Sequence, residues 1–350
     1  MLLPARVEGA CGFNLQCEIA LRSVKKTGDI GAYTCLIVSV GLLRVVDLRY
    51  FGGMTQDRIR QLIAGRMQED GLMETGVAGV RLFRATKAVP CAPAVYEPSV
   101  IAIASGAKEA VLDGARYAYD NSRYLLCPMS MPVKAGTPTA SPDTPLFGVY
   151  IALDPRLMAG LAIEMETAGG AITAPDPGPV SQGIRFARWD AAFSEALLRL
   201  LQLGDSKTDT AVLGEARLRE LYYAILKGEA GGVARQAFGA GNAIARAIAH
   251  VSSNLDAPIS IDDMASRAGM SRAVFHRKFK QVTTLPPIQF VKSMRLNSAA
   301  MKIAGGMPVS EAAMDVGYLS PSQFSREFKR LYGQSPRQWS DAQDLPAGGM

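Results

Sequence analysis

Hydrophobic positions along this chain change period several times, and each change marks a different kind of structure. After Met54 the stretch TQDRIRQLIAGRMQ places Ile59, Leu62, Ile63 and Met67 on one helical face. From about Gly76 to Asp154 the period shortens to that of strands: VIAIA (100–104), EAVL (109–112), ARYAY (115–119), RYLLC (123–127) and LFGVYIAL (146–153). Ser105-Gly106 and Asp113-Gly114 supply turns, the latter a strong hairpin signal, and PVKAGTPTASPDTP (132–145) reads as a loop. Closely spaced strands of this kind predict a small β-barrel or a double-sheet jelly roll, whose interior can hold a small ligand. The Gly/Pro-rich run AGGAITAPDPGPVSQG (168–183) ends the pattern. Helical stripes follow at Leu197, Leu198 and Leu201, then at Leu218, Leu221, Tyr222, Ile225 and Leu226, and these need the barrel or a second copy of the chain to cover them. The first 53 residues keep no sustained period before Phe51-Gly52-Gly53, which predicts that Met54 is the native start and 1–53 a non-native or disordered extension.

The C-terminal third carries one pattern twice. SIDDMASRAGMSRAVFHRKFKQ (260–281) is echoed by PVSEAAMDVGYLSPSQFSREFKR (308–330), pairing Ala265 with Ala313, Gly269 with Gly317, Phe275 with Phe324 and Phe279 with Phe328. Pro287, Gln289 and Phe290 likewise answer Pro336, Gln338 and Trp339. Each copy reads as a short helix, a Gly-containing turn and a basic second helix, the layout of a DNA-reading helix-turn-helix. IQFVKSMRLNSAAMKIA (288–304), opened by Pro287, predicts a single helix joining the copies.

Rotation by about 100° per residue separates an inner from an outer face on each second helix. Phe275 and Phe279 turn inward in the first, leaving Ala273, His276, Arg277 and Lys280 outward; Phe324 and Phe328 do so in the second, leaving Ser322, Ser325, Arg326 and Lys329 outward. Arginine matches the O6/N7 edge of guanine and a small side chain fits a thymine methyl, so Ala273, His276, Arg277, Ser322 and Arg326 are the candidate base readers. Ser271, Arg272, Lys280, Ser320, Gln323, Ser325 and Lys329 are the candidate phosphate contacts, with Ser271 and Ser320 also placed to cap their helices.

Charge sharpens this division. Residues 243–340 hold 13 Lys and Arg against 6 Asp and Glu, a surplus of 7 in a chain whose net charge is +6, so the remainder sums to −1. The basic excess lies where a polyanionic partner needs it. Cys11, Cys17, Cys35, Cys91 and Cys127 show neither C-x-x-C spacing nor a disulfide framework, as expected of a reduced cytoplasm. The apolar run Thr34–Leu43 is too short to span a membrane. His250 and His276 both fall outside the strand region, so a histidine-bound catalytic metal has no ligands there. Gly239-Ala240-Gly241 has neither a third glycine nor a preceding strand for a dinucleotide, and the residues imply no cofactor and no enzyme.

The doubled unit, above all Gly317, Tyr318, Ser320, Ser322, Phe324, Arg326, Phe328, Lys329, Gly333 and Pro336, resembles the AraC/XylS family of bacterial transcription regulators across 243–340. The strand region, from VYEPSVIAIASG through LFGVYIALDP, is similar to that family's N-terminal effector domain across about 70–230. The resemblance implies an α+β chain: a cupin-like β-barrel with accessory helices, then an all-α domain of two helix-turn-helix units. Its parts are an effector domain (54–166), a linker (167–183), a helical accessory or dimerisation segment (184–230), a second linker (231–242), the DNA-binding domain (243–340) and a tail (341–350). It implies a cytoplasmic, sequence-specific regulator of promoter DNA that responds to a small-molecule effector, forms a homodimer and, as an activator, meets RNA polymerase. Tyr96, Glu97, Arg116 and Tyr124 are the candidate effector contacts among the polar residues on or beside the strands, which also include Tyr117, Tyr119 and Arg123. One alternative is an effector-independent regulator whose barrel only dimerises; another is a cupin enzyme fused to a DNA-binding domain. The sequence departs from the family at Thr284, where the first copy lacks the helix-ending glycine that Gly333 supplies in the second, so a differently built helix end is expected there.

Overall fold

The computed structural model describes residues 3–5, 17–19, 34–39, 42–168, 183–238 and 242–341, with side chains from Met54 onward. The chain divides into two compact units, Met1–Arg58 and Ile59–Met350. In the first, β1 (Leu3–Ala5) pairs with β2 (Cys17–Ile19) and β3 (Thr34–Ser39) with β4 (Leu42–Asp47), both antiparallel. Helix α1 (Leu48–Arg66) starts seven residues before the expected Thr55, running through Gly52 and Gly53. Two glycines cost a helix about 1 kcal/mol each but do not forbid it, which is why they misread as a break. Ile59 and Ile63 are fully buried, with Met67 just beyond the helix end, as the periodicity predicts.

The second unit continues with β5 (Gly71–Glu74), β6 (Val80–Ala85), β7 (Val89–Tyr96), β8 (Ser99–Ser105), β9 (Ala107–Leu112), β10 (Ala115–Asp120), β11 (Arg123–Cys127), β12 (Met131–Thr137), β13 (Leu146–Ala152), α2 (Pro155–Thr167) and β14 (Arg185–Arg188). They form a six-stranded sheet, ordered β14-β11-β8-β13-β6-β5, and a four-stranded sheet, ordered β10-β9-β12-β7. Every pairing is antiparallel. Asp113 and Gly114 both take positive φ (49° and 78°), the geometry a tight hairpin between β9 and β10 requires. The expected loop at 132–145 instead begins inside β12. Pro132 is accepted because pairing with β9 starts only at Lys134. Gly136 is required because a Cβ there would lie 2.7 Å from the Cys91 nitrogen.

The segment after residue 183 opens with β14, an edge strand on β11, before turning helical in α3 (Ala191–Gln202) and α4 (Lys207–Lys227). Their stripes are covered by the sheet itself. Tyr124 of β11 stacks on Phe193 with ring centroids 4.2 Å apart, and the Tyr222 hydroxyl donates to the Ala152 carbonyl at 2.6 Å. The 231–242 stretch expected as linker carries α5 (Gly231–Phe238). Residues 169–182, 239–241 and 342–350, which hold most of the first expected linker, the Gly-Ala-Gly run and the tail, lie outside the described residues.

Among the described residues seven helices follow: α6 (Ala243–Ser253), α7 (Ile261–Arg267), α8 (Arg272–Thr283), α9 (Pro287–Ala304), α10 (Val309–Asp315), α11 (Pro321–Tyr332) and α12 (Pro336–Asp341). Helix α9 serves two cores. Its Phe290, Val291 and Met294 join Phe275 and Phe279 in a core continuous with the rest of the unit, whereas Leu296, Ala299, Ala300 and Ile303 join Phe324, Phe328 and Trp339 in a separate cluster. Burying each of the larger of these side chains contributes roughly 1.5 to 3 kcal/mol, enough for each helix pair to be anchored by its own aromatic residues.

Candidate nucleic-acid interface

The two helix-turn-helix units, α7–α8 and α10–α11, are built by the same local devices. Gly269 (φ 64°) and Gly317 (φ 80°) make the turns, and at Gly317 a Cβ would lie 2.6 Å from the Leu255 carbonyl oxygen. Ser271 Oγ accepts from the Val274 N–H at 3.5 Å and Ser320 Oγ from the Gln323 N–H at 3.3 Å, so both hydroxyls cap their helices. Phe275 and Phe279 sit 5.3 Å apart, and Phe279 meets Phe290 of α9 edge-on at 5.2 Å. Phe324 and Phe328 sit 5.4 Å apart, with Phe328 against Tyr332 and Trp339.

With those aromatics fixed inward, the opposite faces are bare. Ala273, His276, Arg277 and Lys280 on α8, and Ser322, Ser325, Arg326 and Lys329 on α11, are all exposed. Arg277, Lys280, Arg326 and Lys329 make no ion pair among the described residues, so two cationic faces stand open. Arg272 is exposed but pairs with Asp262 at 3.3 Å, and Gln323 reaches Glu327 at 3.4 Å, so both would exchange a partner to meet a phosphate. Lys278 and Arg330, exposed beside the assigned residues, widen the basic surface. Lys278 has a phase intermediate between the two faces, whereas Arg330 lies on the outward face of α11 and was missed by the sequence assignment.

The ends of the two second helices agree more closely than the sequence predicts. Thr284 takes φ 68° and its N–H bonds the Lys280 carbonyl, as Gly333 (φ 78°) bonds Lys329, so both helices close with a left-handed residue. Thr284 accepts a backbone conformation that favours glycine. Neighbouring Thr283, fully buried, steadies the turn by donating to the Phe279 carbonyl at 2.9 Å and accepting from the Leu285 N–H at 3.3 Å.

The second unit is fastened to α9 through Glu327. Its carboxylate takes the Tyr318 hydroxyl at 2.8 Å and Lys292 Nζ at 3.2 Å. Burial works to raise the Glu327 pKa, but the hydrogen bonds from Tyr318, Lys292 and Gln323 outweigh it and hold the carboxyl below its ordinary range. Helix α9 in turn docks on the four-stranded sheet. Asn297, buried, donates to the carbonyls of Ala94 and Val133, both at 2.9 Å, and accepts the Tyr332 hydroxyl at 2.6 Å. One residue along β7, the Val95 N–H points at the Met301 sulfur at 3.2 Å.

The candidate effector contacts are not brought together. Arg116, 65% exposed, pairs with Glu109 on the outer face of its sheet. Glu97 is exposed and holds the Ser130 hydroxyl. Tyr124 faces the helix layer through Phe193. Alternation alone could not assign these faces, because β11 is covered on both sides. Only Tyr96 points between the sheets, where it meets two residues outside that assignment, Lys108 and Tyr119. Lys108 was legible as a charge in register with Ala110 and Leu112, all three buried along β9. A separate cavity of about 330 Å³ lies where Pro98, Met129 and Ser130 face Phe238, Asn242 and Arg246. Among the described residues no group of three or more His, Cys, Asp and Glu converges as a metal site, and no helix is long and apolar enough to cross a membrane.

Comparison with known proteins accords with this geometry. The family described as AraC-type transcriptional regulator N-terminus matches residues 76–233, and a helix-turn-helix domain family matches 264–342. Regulatory protein SoxS of Escherichia coli strain K12 is 33% identical over 90 residues, covering 25% of this chain and 84% of that protein. The HTH-type transcriptional regulator MtrA of Neisseria gonorrhoeae is 40% identical over 81 residues, covering 23% of this chain and 27% of that protein. In overall fold the chain is similar to an apo variant of ToxT from Vibrio cholerae strain SCE256, with a TM-score of 0.51 at 13% identity over 74% of this chain and 97% of that one. With a sandwich ahead of paired helix-turn-helix units and a relative matched over most of its length, the chain belongs to the AraC family of DNA-binding transcriptional regulators.

Proposed function

We propose that this regulator is effector-gated: a small molecule held in the sandwich alters how α8 and α11 are presented to promoter DNA. The observation that carries the reading is Asn297. It lies on the helix between the two recognition helices, holds carbonyls of two sandwich strands, and takes the hydroxyl of Tyr332 at the end of α11. One side chain therefore reports the position of β7 and β12 to the second recognition helix.

In this reading Arg277 and Arg326 read base edges, Ala273, His276 and Ser322 lie against neighbouring bases, and Lys280, Ser325 and Lys329 hold phosphates, with Arg272, Gln323 and the capping hydroxyls of Ser271 and Ser320 at the rim. The 18 residues of α9 span about 27 Å, which suits recognition helices in successive major grooves about 34 Å apart if the DNA bends toward the protein. A cytoplasmic location, a homodimer formed through the N-terminal half, and contact with RNA polymerase complete the proposal.

The test is Asn297→Ala, which leaves every DNA-facing residue in place. Operator affinity is expected to change several-fold while the slope of affinity against salt, set by phosphate contacts, stays put. Unchanged affinity in a variant that melts cooperatively would disprove coupling through α9.

A further inference from the structure

Resting on the assignment of α8 and α11 as the helices that read DNA, we propose that Arg295 and Gly317 clasp the two helix-turn-helix units together and so set the half-site spacing that the chain accepts. The two turn glycines hold matching places in the repeat but different surroundings. At Gly269 (φ 64°) a Cβ would meet nothing within 4 Å, so glycine serves there for its backbone conformation alone. At Gly317 (φ 80°) a Cβ would lie 2.6 Å from the Leu255 carbonyl oxygen, 2.8 Å from that of Asp256 and 3.0 Å from Arg295 Nη2. Leu255 and Asp256 belong to the loop between α6 and α7, in the other unit. The second turn is seated on the first unit at a range that any side chain would prevent.

Arg295 closes this seat from α9. Half-buried, it donates from Nη2 to the Ala257 carbonyl at 2.7 Å, next along the loop from the two carbonyls that face Gly317. Its Nε is buried without a hydrogen-bond partner among the described residues, which leaves the bond to Ala257 to hold the guanidinium in register. Its charge also acts on the Tyr318 hydroxyl, which Glu327 of α11 accepts at 2.8 Å. The contact therefore runs from the first unit's loop, through the second turn, to the second recognition helix. In the first copy Met270 stands where Tyr318 does and Lys278 where Glu327 does, so the link is built on one side only.

Helix α9 alone is a single strut, and its two ends could swivel. A second contact between the units it joins turns the strut into a closed frame, fixing the twist between α8 and α11 as well as their separation. One base pair moves a half-site by about 3.4 Å and rotates it by about 35°. A frame that fits one spacing must open its clasp, or give up contacts at one half-site, to fit the next. Arg295 is thus a positioning residue: it acts through the placement of α11.

The test measures affinity of the full chain, at fixed salt, for the duplex the wild type selects and for the same duplex with one base pair inserted or removed midway between its half-sites. The wild type is expected to bind either altered duplex at least about thirtyfold more weakly. In Arg295→Met that penalty is expected to fall by about tenfold, the equivalent of one charge-assisted hydrogen bond, with base preferences inside each half-site unchanged. Arg295→Gln, too short to reach the Ala257 carbonyl, carries the same expectation should Arg295→Met fail to fold. Gly269→Ala puts similar left-handed strain into the first turn without touching the clasp, and it is expected to keep the wild-type penalty. A wild type indifferent to spacing, an undiminished penalty in the Arg295 variants, or an equal relaxation in Gly269→Ala overturns the proposal. Unchanged base preference in both Arg277→Ala and Arg326→Ala would instead remove the assignment of the reading helices, whereas indifference to spacing while those variants lose preference strikes the clasp alone.

Discussion

Two residues hold conformations or charges that the free protein does not favour, and each makes a measurable prediction. Thr284 occupies the left-handed region at φ 68°. Thr284→Gly is expected to stabilise the chain by about 1 kcal/mol in urea denaturation, the strain relieved being partly offset by glycine's greater unfolded freedom. A loss of stability would mean that the Thr284 hydroxyl, which donates to the Thr283 carbonyl at 2.6 Å, matters more than its strain. Lys108 tests the sign of a buried charge. Its folded-state pKa of about 8 lies below the unfolded value of 10.5, so protonation opposes folding below about pH 8 and the penalty fades as pH climbs toward 10.5. Lys108→Met should therefore stabilise the ligand-free chain at pH 7 by roughly 2 to 4 kcal/mol, with the advantage shrinking by pH 10. Tyr96, Tyr119 and Cys127, packed nearby, are raised by burial, so their ionisation in the unfolded chain lowers stability at high pH in wild type and variant alike and cancels in the comparison.

Secondary-structure elements show where a sequence declares itself and where it does not. Helices α8 and α11 were legible because aromatic anchors at i and i+4 fix their phase, and the outward sets they imply are exposed in the structure. Strands β8 to β11 and β13 were legible from alternation and an Asp-Gly turn, whereas β12 hid behind Pro132 and Gly136, residues that normally punctuate loops. The effector contacts were not legible, since which face of a strand looks inward depends on what covers the other face, and α3 covers β11. Packing between elements adds two predictions. Gly148→Ala would put a Cβ 2.1 Å from the Phe83 ring, displacing that ring, and should cost about 1 to 3 kcal/mol of stability in urea denaturation. Glu327 stabilises as the carboxylate: its depressed pKa makes that contribution present above about pH 4.5 and lost as pH falls through the folded-state value. Glu327→Gln should therefore flatten the acid side of the stability profile, as followed by circular dichroism across pH.

At the scale of the whole molecule, a sandwich, a strut and two basic helices form a chain of contacts in one unit. Asn297 and Met301 tie the strut to β7 and β12, Glu327 ties it to α11, and Phe290 ties it to α8. The recognition helices share a scaffold but not a surface: one offers Ala273, His276 and Arg277, the other Ser322, Ser325 and Arg326. Each chain should therefore bind an asymmetric, directional site, and any two-fold symmetry of an operator would come from pairing of two chains. The most direct test is in vitro selection of preferred sequences from random duplex DNA by the wild type, Arg277→Ala and Arg326→Ala at fixed salt. Each variant is expected to lose preference at one base position, at opposite ends of the site and at a cost of about 1 to 3 kcal/mol, with preferences elsewhere retained. Both variants selecting the wild-type sequence with undiminished preference would contradict the assignment of α8 and α11 as the helices that read DNA.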